Sequence, residues 1–233
     1  VAVVLIDYFK DKLGSLTIVL LPIIGGFAGF LGLLTLPFVS NITNTLGQMI
    51  NHFTNMQKFI MCILIAVAFN YHPCFNCSHW FAVGLNGLAA GSAALGVAAC
   101  TAVLTIGSIK AKNEKGVTIA ILMGAMKMMI PNLIQYPILL LPVITTSIFT
   151  GFFGALINIT GTPQTAGFGL VGLVGPIGAF KGLTTVNSPL SKVFLIFLAF
   201  FVVTFGAAYL CDFIFRKCLK LYDLTIYENN GGM

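Results

Sequence analysis

The chain has 233 residues, of which 58% are hydrophobic and only 8% are charged. A soluble domain carries about 25% charged residues, so this composition excludes a soluble globular protein and predicts an all-α, polytopic bundle of transmembrane helices. The net charge of +6 is concentrated at the edges of apolar runs rather than in a basic stripe, which argues against a nucleic-acid partner. We therefore treat residues 1–233 as a single transmembrane domain and leave open whether residues precede Val1.

Four long apolar stretches are predicted to cross the bilayer, because about 20 apolar residues span its hydrocarbon core. In chain order they cover residues 13–39, 80–109, 133–159 and 193–215. Three basic clusters lie at their edges: Lys10 with Lys12, then Lys110, Lys112 and Lys115, then Arg216, Lys217 and Lys220. The positive-inside rule places all three clusters in the cytoplasm, together with both chain termini.

Three shorter apolar pieces, at residues 59–70, 117–130 and 166–180, are too short to span the bilayer alone. We expect them to enter and leave on the same side, as broken or re-entrant segments; a conventional bundle of six or seven helices is the alternative. Interrupted helices line polar cavities in many transporters. The polar tail at residues 223–233 is predicted to be loose.

The strongest local signal is a run of polar and glycine residues between two apolar stretches, at positions 158–169. Hydroxyl, amide and free backbone N–H groups in such a run suit the hydroxyls of a small solute. The plainer alternative is a surface loop with a Gly-Pro turn. Apolar sequence resumes at once after the run, which favours a buried solute site. Its candidate residues are Asn158, Thr160, Gly161, Thr162, Gln164, Thr165 and Gly167.

Four further residues are candidates for the same cavity. Lys127 is an ionisable residue within an apolar piece, which makes it a functional candidate, although its long stem could instead carry the ammonium to the interface. Asn132 and Gln135 follow within two turns and could share a cavity with it. His72 is a weaker candidate for the same solute.

The short segment from His72 to His79 also has the residue types of a zinc site. His72, Cys74, Cys77 and His79 provide nitrogen and sulfur ligands, but their spacing is tighter than two separated ligand pairs. A disulfide between the two cysteines is an alternative. A plain loop at the membrane edge is the reading we favour, and we predict no metal.

The run GTPQTAGFGLVGLVGPIGA resembles the signature region of the bacterial phosphotransferase-system enzyme IIC-like membrane proteins, in particular the branch that includes the perfringolysin-regulator proteins. The segments LTLPFVSNIT, GLAAGSAALGVAACTAVLTIGS and KMMIPNLIQYP fit the same resemblance, which covers about residues 30–180. The resemblance implies a multi-pass permease of the bacterial inner membrane for a sugar or similar small polar solute. It also implies a homodimer and a separate phosphocarrier subunit.

One feature departs from that family. Classical sugar-phosphorylating permeases of this kind present a membrane-embedded Glu, and often a His, to the sugar. Here Glu114 and Glu228 both lie in polar segments, so we assign no catalytic residue and no cofactor. Any phosphoryl transfer would need the partner subunit. The alternative function is a membrane-embedded sensor or regulator that keeps the permease fold without transport.

Overall fold

The computed structural model describes residues 17–71, 84–125, 129–183 and 188–228. The structure is 83% helical and those residues include no β-strand, which confirms the predicted all-α membrane bundle. The α-helices are α1 (Thr17–Met56), α2 (Lys58–Tyr71), α3 (Gly87–Lys110), α4 (Lys115–Ala120), α5 (Ile130–Gln135), α6 (Leu140–Ile157), α7 (Val174–Gly182), α8 (Pro189–Phe197) and α9 (Thr204–Phe213). Turns of π-helix follow α4, α8 and α9, and 3₁₀ turns precede α6 and α7 and close the described chain.

Among the described residues, three helices are long and apolar enough to cross a membrane: Gly87–Lys110, Pro137–Ile157 and Pro189–Cys218. They correspond to three of the four predicted spans. The predicted span at residues 13–39 lies partly outside the described residues. Its remainder belongs to α1, which continues as one helix to Met56.

The chain divides into two compact units, Val1–Thr45 and Leu46–Met233. In the first unit, the described part is the N-terminal portion of α1. Large apolar side chains such as Phe30, Leu33 and Phe38 are exposed there, as expected of a helix surface that lipid solvates. Its hydroxyls bond back to helix carbonyls, with Ser40 donating to Pro37 O at 3.0 Å.

Helix α3 is the axis of the second unit, and every residue from Ala89 to Ser108 is buried. Its sequence is rich in Ala, Gly and Ser, and small residues allow neighbouring backbones to approach from all sides. Its two ends are called the Gly87 end and the Lys110 end, and the positions of the other elements along the bundle are given relative to them.

Helices α2 and α6 pack closely on α3. A Cβ on Gly96 would lie 2.8 Å from the Cα of Ala66. The Asn70 side-chain amide donates to Gly96 O at 2.7 Å and to Ser147 Oγ at 2.5 Å, so one side chain joins all three helices. Helix α6 begins at the Lys110 end and finishes at the Gly87 end, where the carbonyl of Ile159 faces Gly91.

Helix α2 begins at the Gly87 end, and the described chain resumes at that end with Gly84, whereas residues 72–83 lie outside the described residues. A re-entrant segment at residues 59–70 therefore stays a prediction. Asn70, next to the last residue of α2, lies level with the middle of α3. Asn86 is back beside α1, where its N–H donates to Asn51 Oδ1 at 3.0 Å. The hydrogen bond from Asn51 Nδ2 to Gly84 O, at 3.3 Å, fixes the same junction.

The C-terminal segment, residues 221–228, packs against the Lys110 end. The loose tail predicted at residues 223–233 lies partly outside the described residues, but within the described part Tyr227 is fully buried and its ring lies against Gly107. Asn113 donates to Tyr227 O at 2.8 Å. The Tyr227 ring can pack at this position because Gly107 has no side chain.

Candidate functional site

The Gly-rich hairpin, residues 158–182, begins where α6 ends. Asn158 has a left-handed backbone (φ 57°) that terminates the helix, and the Ile159 N–H donates to Gly154 O at 2.9 Å. The chain then turns onto α3, where the Gly161 N–H donates to Gly87 O at 2.8 Å. The hairpin is therefore attached by its backbone to the Gly87 end.

From there, non-helical backbone descends along α3 to its middle. A Cβ on Gly161 would lie 3.0 Å from Gly91 N, and a Cβ on Gly169 would lie 2.6 Å from Ala98 N. Ala98 is about 16 Å along the axis from Gly87, at 1.5 Å per residue. That distance is roughly half of a 30 Å hydrocarbon core, so the irregular backbone reaches the middle of the apolar helix α3.

Helix α7 forms the returning arm. The Gly175 N–H donates to Gly169 O at 2.9 Å, Gly178 lies against the Thr165 side chain, and Gly182 faces Thr160 O. These three contacts lie progressively closer to the Gly87 end, so the hairpin enters and leaves the bundle at that end. The prediction of a re-entrant piece at residues 166–180 is confirmed.

The threonines of the hairpin differ in their partners. Thr162 Oγ1 and Thr165 Oγ1 lie 3.0 Å apart, and Thr165 Oγ1 also donates to Thr162 O at 3.0 Å, which closes the turn. Thr160 Oγ1 is buried and makes no hydrogen bond with any residue that the structure describes. A buried hydroxyl without a partner is costly and uncommon, so it marks a place where a ligand group could bind. Gln164, four residues later, is exposed.

The tip of the hairpin meets a second interrupted segment from the opposite end. Val171–Leu173 contacts the π-helical turn Ile121–Ala125, which follows α4. That segment starts at the Lys110 end, where Ser108 Oγ lies 3.0 Å from Thr118 Oγ1. Interrupted elements from both ends thus meet near the middle of the bundle. Single π turns inside helices are frequent at functional sites.

The structure gathers the seven predicted residues of the 158–169 run into the Gly-rich hairpin. It does not bring Asn132 and Gln135 there. Asn132 donates to Ile226 O at 2.9 Å and to Glu228 O at 2.8 Å, so its amide holds the C-terminal segment, and Gln135 is exposed. Lys127 and the His72, Cys74, Cys77 and His79 group lie outside the described residues.

Sequence reasoning missed a buried carboxylate. Asp212 lies near the end of the predicted span at residues 193–215 and is fully buried, with Lys110 Nζ 2.6 Å and the Tyr222 hydroxyl 3.0 Å from its oxygens. Burial raises the pKa of Tyr222, which keeps its proton for this hydrogen bond. The i,i+4 spacing of Asp212 and Arg216 was the available signal. The cluster lies at the Lys110 end, away from the hairpin.

Comparison with known proteins gives a family. The family model described as "Phosphotransferase system, EIIC" matches residues 1–229. No curated protein and no solved structure shows a significant match. Since the match covers nearly the whole chain, including the Gly-rich hairpin and the helices around it, this membrane protein belongs to the phosphotransferase-system EIIC family.

Proposed function

We propose that this protein binds a sugar or similar small polar solute and moves it across the bacterial cytoplasmic membrane. One observation carries the proposal: the non-helical arm of the Gly-rich hairpin reaches the middle of the bundle and contains a buried hydroxyl, Thr160 Oγ1, that has no hydrogen-bond partner among the described residues. Irregular backbone at membrane depth is stable only where protein or a polar cavity surrounds it. Family membership supports the same class of substrate.

The residues would divide the work as follows. Thr160, Gln164 and Asn158 would hydrogen-bond the solute hydroxyls, since threonine and amide side chains both donate and accept. Thr162 and Thr165 would keep the turn in shape through their 3.0 Å contact. Movement of the hairpin relative to the π turn at Ile121–Ala125 would open the site alternately to each side.

The other parts of the proposal rest on the family and on charge. EIIC domains work with other phosphotransferase components, and we propose a separate phosphocarrier subunit and a homodimer here. The basic clusters favour cytoplasmic termini. The described hairpin residues include no carboxylate, so this chain would bind and translocate, and any phosphoryl transfer would depend on the partner.

The first experiment is a thermal-shift screen of the detergent-purified protein against sugars, sugar alcohols and ascorbate-like acids. A solute at 100 times its Kd stabilises the folded state by about 2.7 kcal/mol. Thr160→Val, which removes the hydroxyl and keeps the shape, should abolish the shift, as should Gln164→Ala. Thr145→Val is the matched control, because the Thr145 hydroxyl bonds to Leu141 O within α6 at 2.9 Å.

The hit is then tested for uptake into proteoliposomes. Uptake that Thr160→Val abolishes supports the permease. If the solute binds but is not taken up, the protein is a sensor or regulator with a permease fold, a function that the lack of a hairpin carboxylate favours. No thermal shift with any solute, in a protein that remains folded, would reject the hairpin as a solute site.

A further inference from the structure

A basic pocket of about 450 Å³ lies where the last spanning helix ends. Its walls are Arg216, Lys217, Lys220, Asp223 and Leu224. Three cations and one carboxylate give it a net positive charge, so it suits an anion with several oxygen acceptors, such as a phosphate group. It lies at the Lys110 end and is independent of the proposed transport site.

The guanidinium of Arg216 is not fully hydrogen-bonded by the neighbouring Asp212. Its Nε lies 3.5 Å from Asp212 Oδ2 but donates no hydrogen bond. Asp212 is already satisfied by Lys110 at 2.6 Å and by Tyr222 at 3.0 Å. The carboxylate therefore orients the Arg216 side chain through its buried Nε, while the side chain remains partly exposed, so we assign its terminal Nη groups to a ligand in the pocket.

The two lysines add charge to the pocket, and neither forms an ion pair with a residue that the structure describes, although Asp223 lines the same pocket. Lys217 Nζ lies 5.2 Å from the centre of the Phe213 ring, an interaction that positions an ammonium but does not neutralise it. Lys220 has a left-handed backbone (φ 48°) at the point where the chain turns back towards the bundle. This turn brings Lys220 and Asp223 to the same pocket as Arg216.

The surroundings of the pocket decide between a lipid and a free anion. The pocket lies at the end of the 30-residue helix Pro189–Cys218, which is apolar enough to cross a membrane, so we place the pocket at the depth of the headgroups. Exposed apolar side chains continue around it, including Ile214 at 47%, Leu219 at 56% and Leu221 at 43% exposed. An anionic pocket ligand with acyl chains could cover that surface, whereas inorganic phosphate could not.

We propose that Arg216, Lys217 and Lys220 form a binding site for the phosphate headgroup of an anionic phospholipid. Basic residues next to a membrane span attract anionic lipid, and each contributes about a fivefold change in affinity. The lipid would bridge the end of the last span and the C-terminal segment, which also carries Tyr222 and Tyr227.

Native mass spectrometry of the detergent-purified protein, titrated with phosphatidylglycerol or phosphatidylcholine, tests this proposal. The first bound phosphatidylglycerol should bind at least tenfold more tightly than phosphatidylcholine. Lys217→Gln and Lys220→Gln should each weaken it about fivefold, and the two together about 25-fold, if the charges act independently. Neither lysine contacts Asp212, so these variants test the pocket without disturbing the buried ion pair.

Lys115→Gln is the matched control, because Lys115 is exposed at the same end but does not line the pocket. Weakening by Lys115→Gln equal to that by Lys217→Gln would mean diffuse charge attraction and would overturn the proposal. Equal affinity for the two lipids would also overturn it. The third arm uses inorganic phosphate: binding of phosphate that depends on Lys217 and Lys220, without a preference for phosphatidylglycerol, would assign the pocket to a free anion instead.

Discussion

Replacing Gly169 with alanine tests whether the Gly-rich hairpin is pressed against α3. Gly169 has φ +55°, and an added Cβ would lie 2.6 Å from Ala98 N and 2.8 Å from Val97 C. These are backbone atoms of a buried helix and cannot rotate away. The left-handed backbone costs a non-glycine residue about 1–2 kcal/mol, and overpacking costs about 1–3 kcal/mol. Together they predict a loss of about 2–5 kcal/mol.

Gly172→Ala separates the two contributions. Gly172 has nearly the same φ, +56°, but its added Cβ would meet only Val174 Cγ2, at 3.8 Å. This control should therefore lose only the backbone cost of about 1–2 kcal/mol. The free energy of unfolding is measured by SDS titration in mixed micelles, followed by circular dichroism. Equal losses in the two variants would show that the hairpin does not contact α3 at Gly169, and the argument for a re-entrant segment would fail.

Three further predictions concern the Lys110 end. Lys110→Ala should destabilise the protein by about 1.5–3 kcal/mol, because it removes the charged 2.6 Å hydrogen bond to Asp212 and leaves that carboxylate with Tyr222 and the more distant Arg216. The exposed Lys112→Ala should have little effect, and a loss of the same size in both variants would contradict this. Asn132→Ala should speed backbone hydrogen exchange in the C-terminal segment without changing the affinity for the solute. Gln135→Ala should change neither the exchange rate nor the affinity. If Asn132→Ala lowered the affinity and left the exchange rate unchanged, Asn132 would belong to the solute site. Burial raises the pKa of Tyr227, so its contribution to stability is complete below about pH 10 and is lost as the pH rises further. In a series of melting temperatures, Tyr227→Phe should flatten that alkaline decline, and an unchanged slope would contradict the assignment.

The all-α bundle and its broken segments could be predicted from the sequence because length and apolarity decide what crosses a bilayer. The re-entrant piece at 166–180 follows from the same rule, since about 15 apolar residues cannot span. Glycines at 161, 167 and 169 signalled irregular backbone. Which helix that backbone would face was not predictable, because the contact depends on small residues of α3 that look alike on every side.

The candidate site was predicted in part for a similar reason. The 158–169 run is contiguous in sequence, so its residues stay together in any fold. Asn132 and Gln135 were assigned to the same site only because their side chains are polar, and polarity does not show how close two segments lie. The carbonyls that Asn132 binds, at Ile226 and Glu228, belong to a segment almost 100 residues later, which no local pattern could connect to it.

Helix α3 has a consequence for biogenesis. Its residues are mostly Ala, Gly and Ser, so it gains less from lipid than a leucine-rich span does when it first enters the membrane. It also has no side suited to lipid in the finished protein, since Ala89–Ser108 is buried throughout. Stable insertion of α3 in the membrane therefore depends on α6 and the Gly-rich hairpin, which are synthesised later. A ribosome paused after Lys110 would leave α3 weakly held, and insertion of the C-terminal half would complete the anchoring of the N-terminal half.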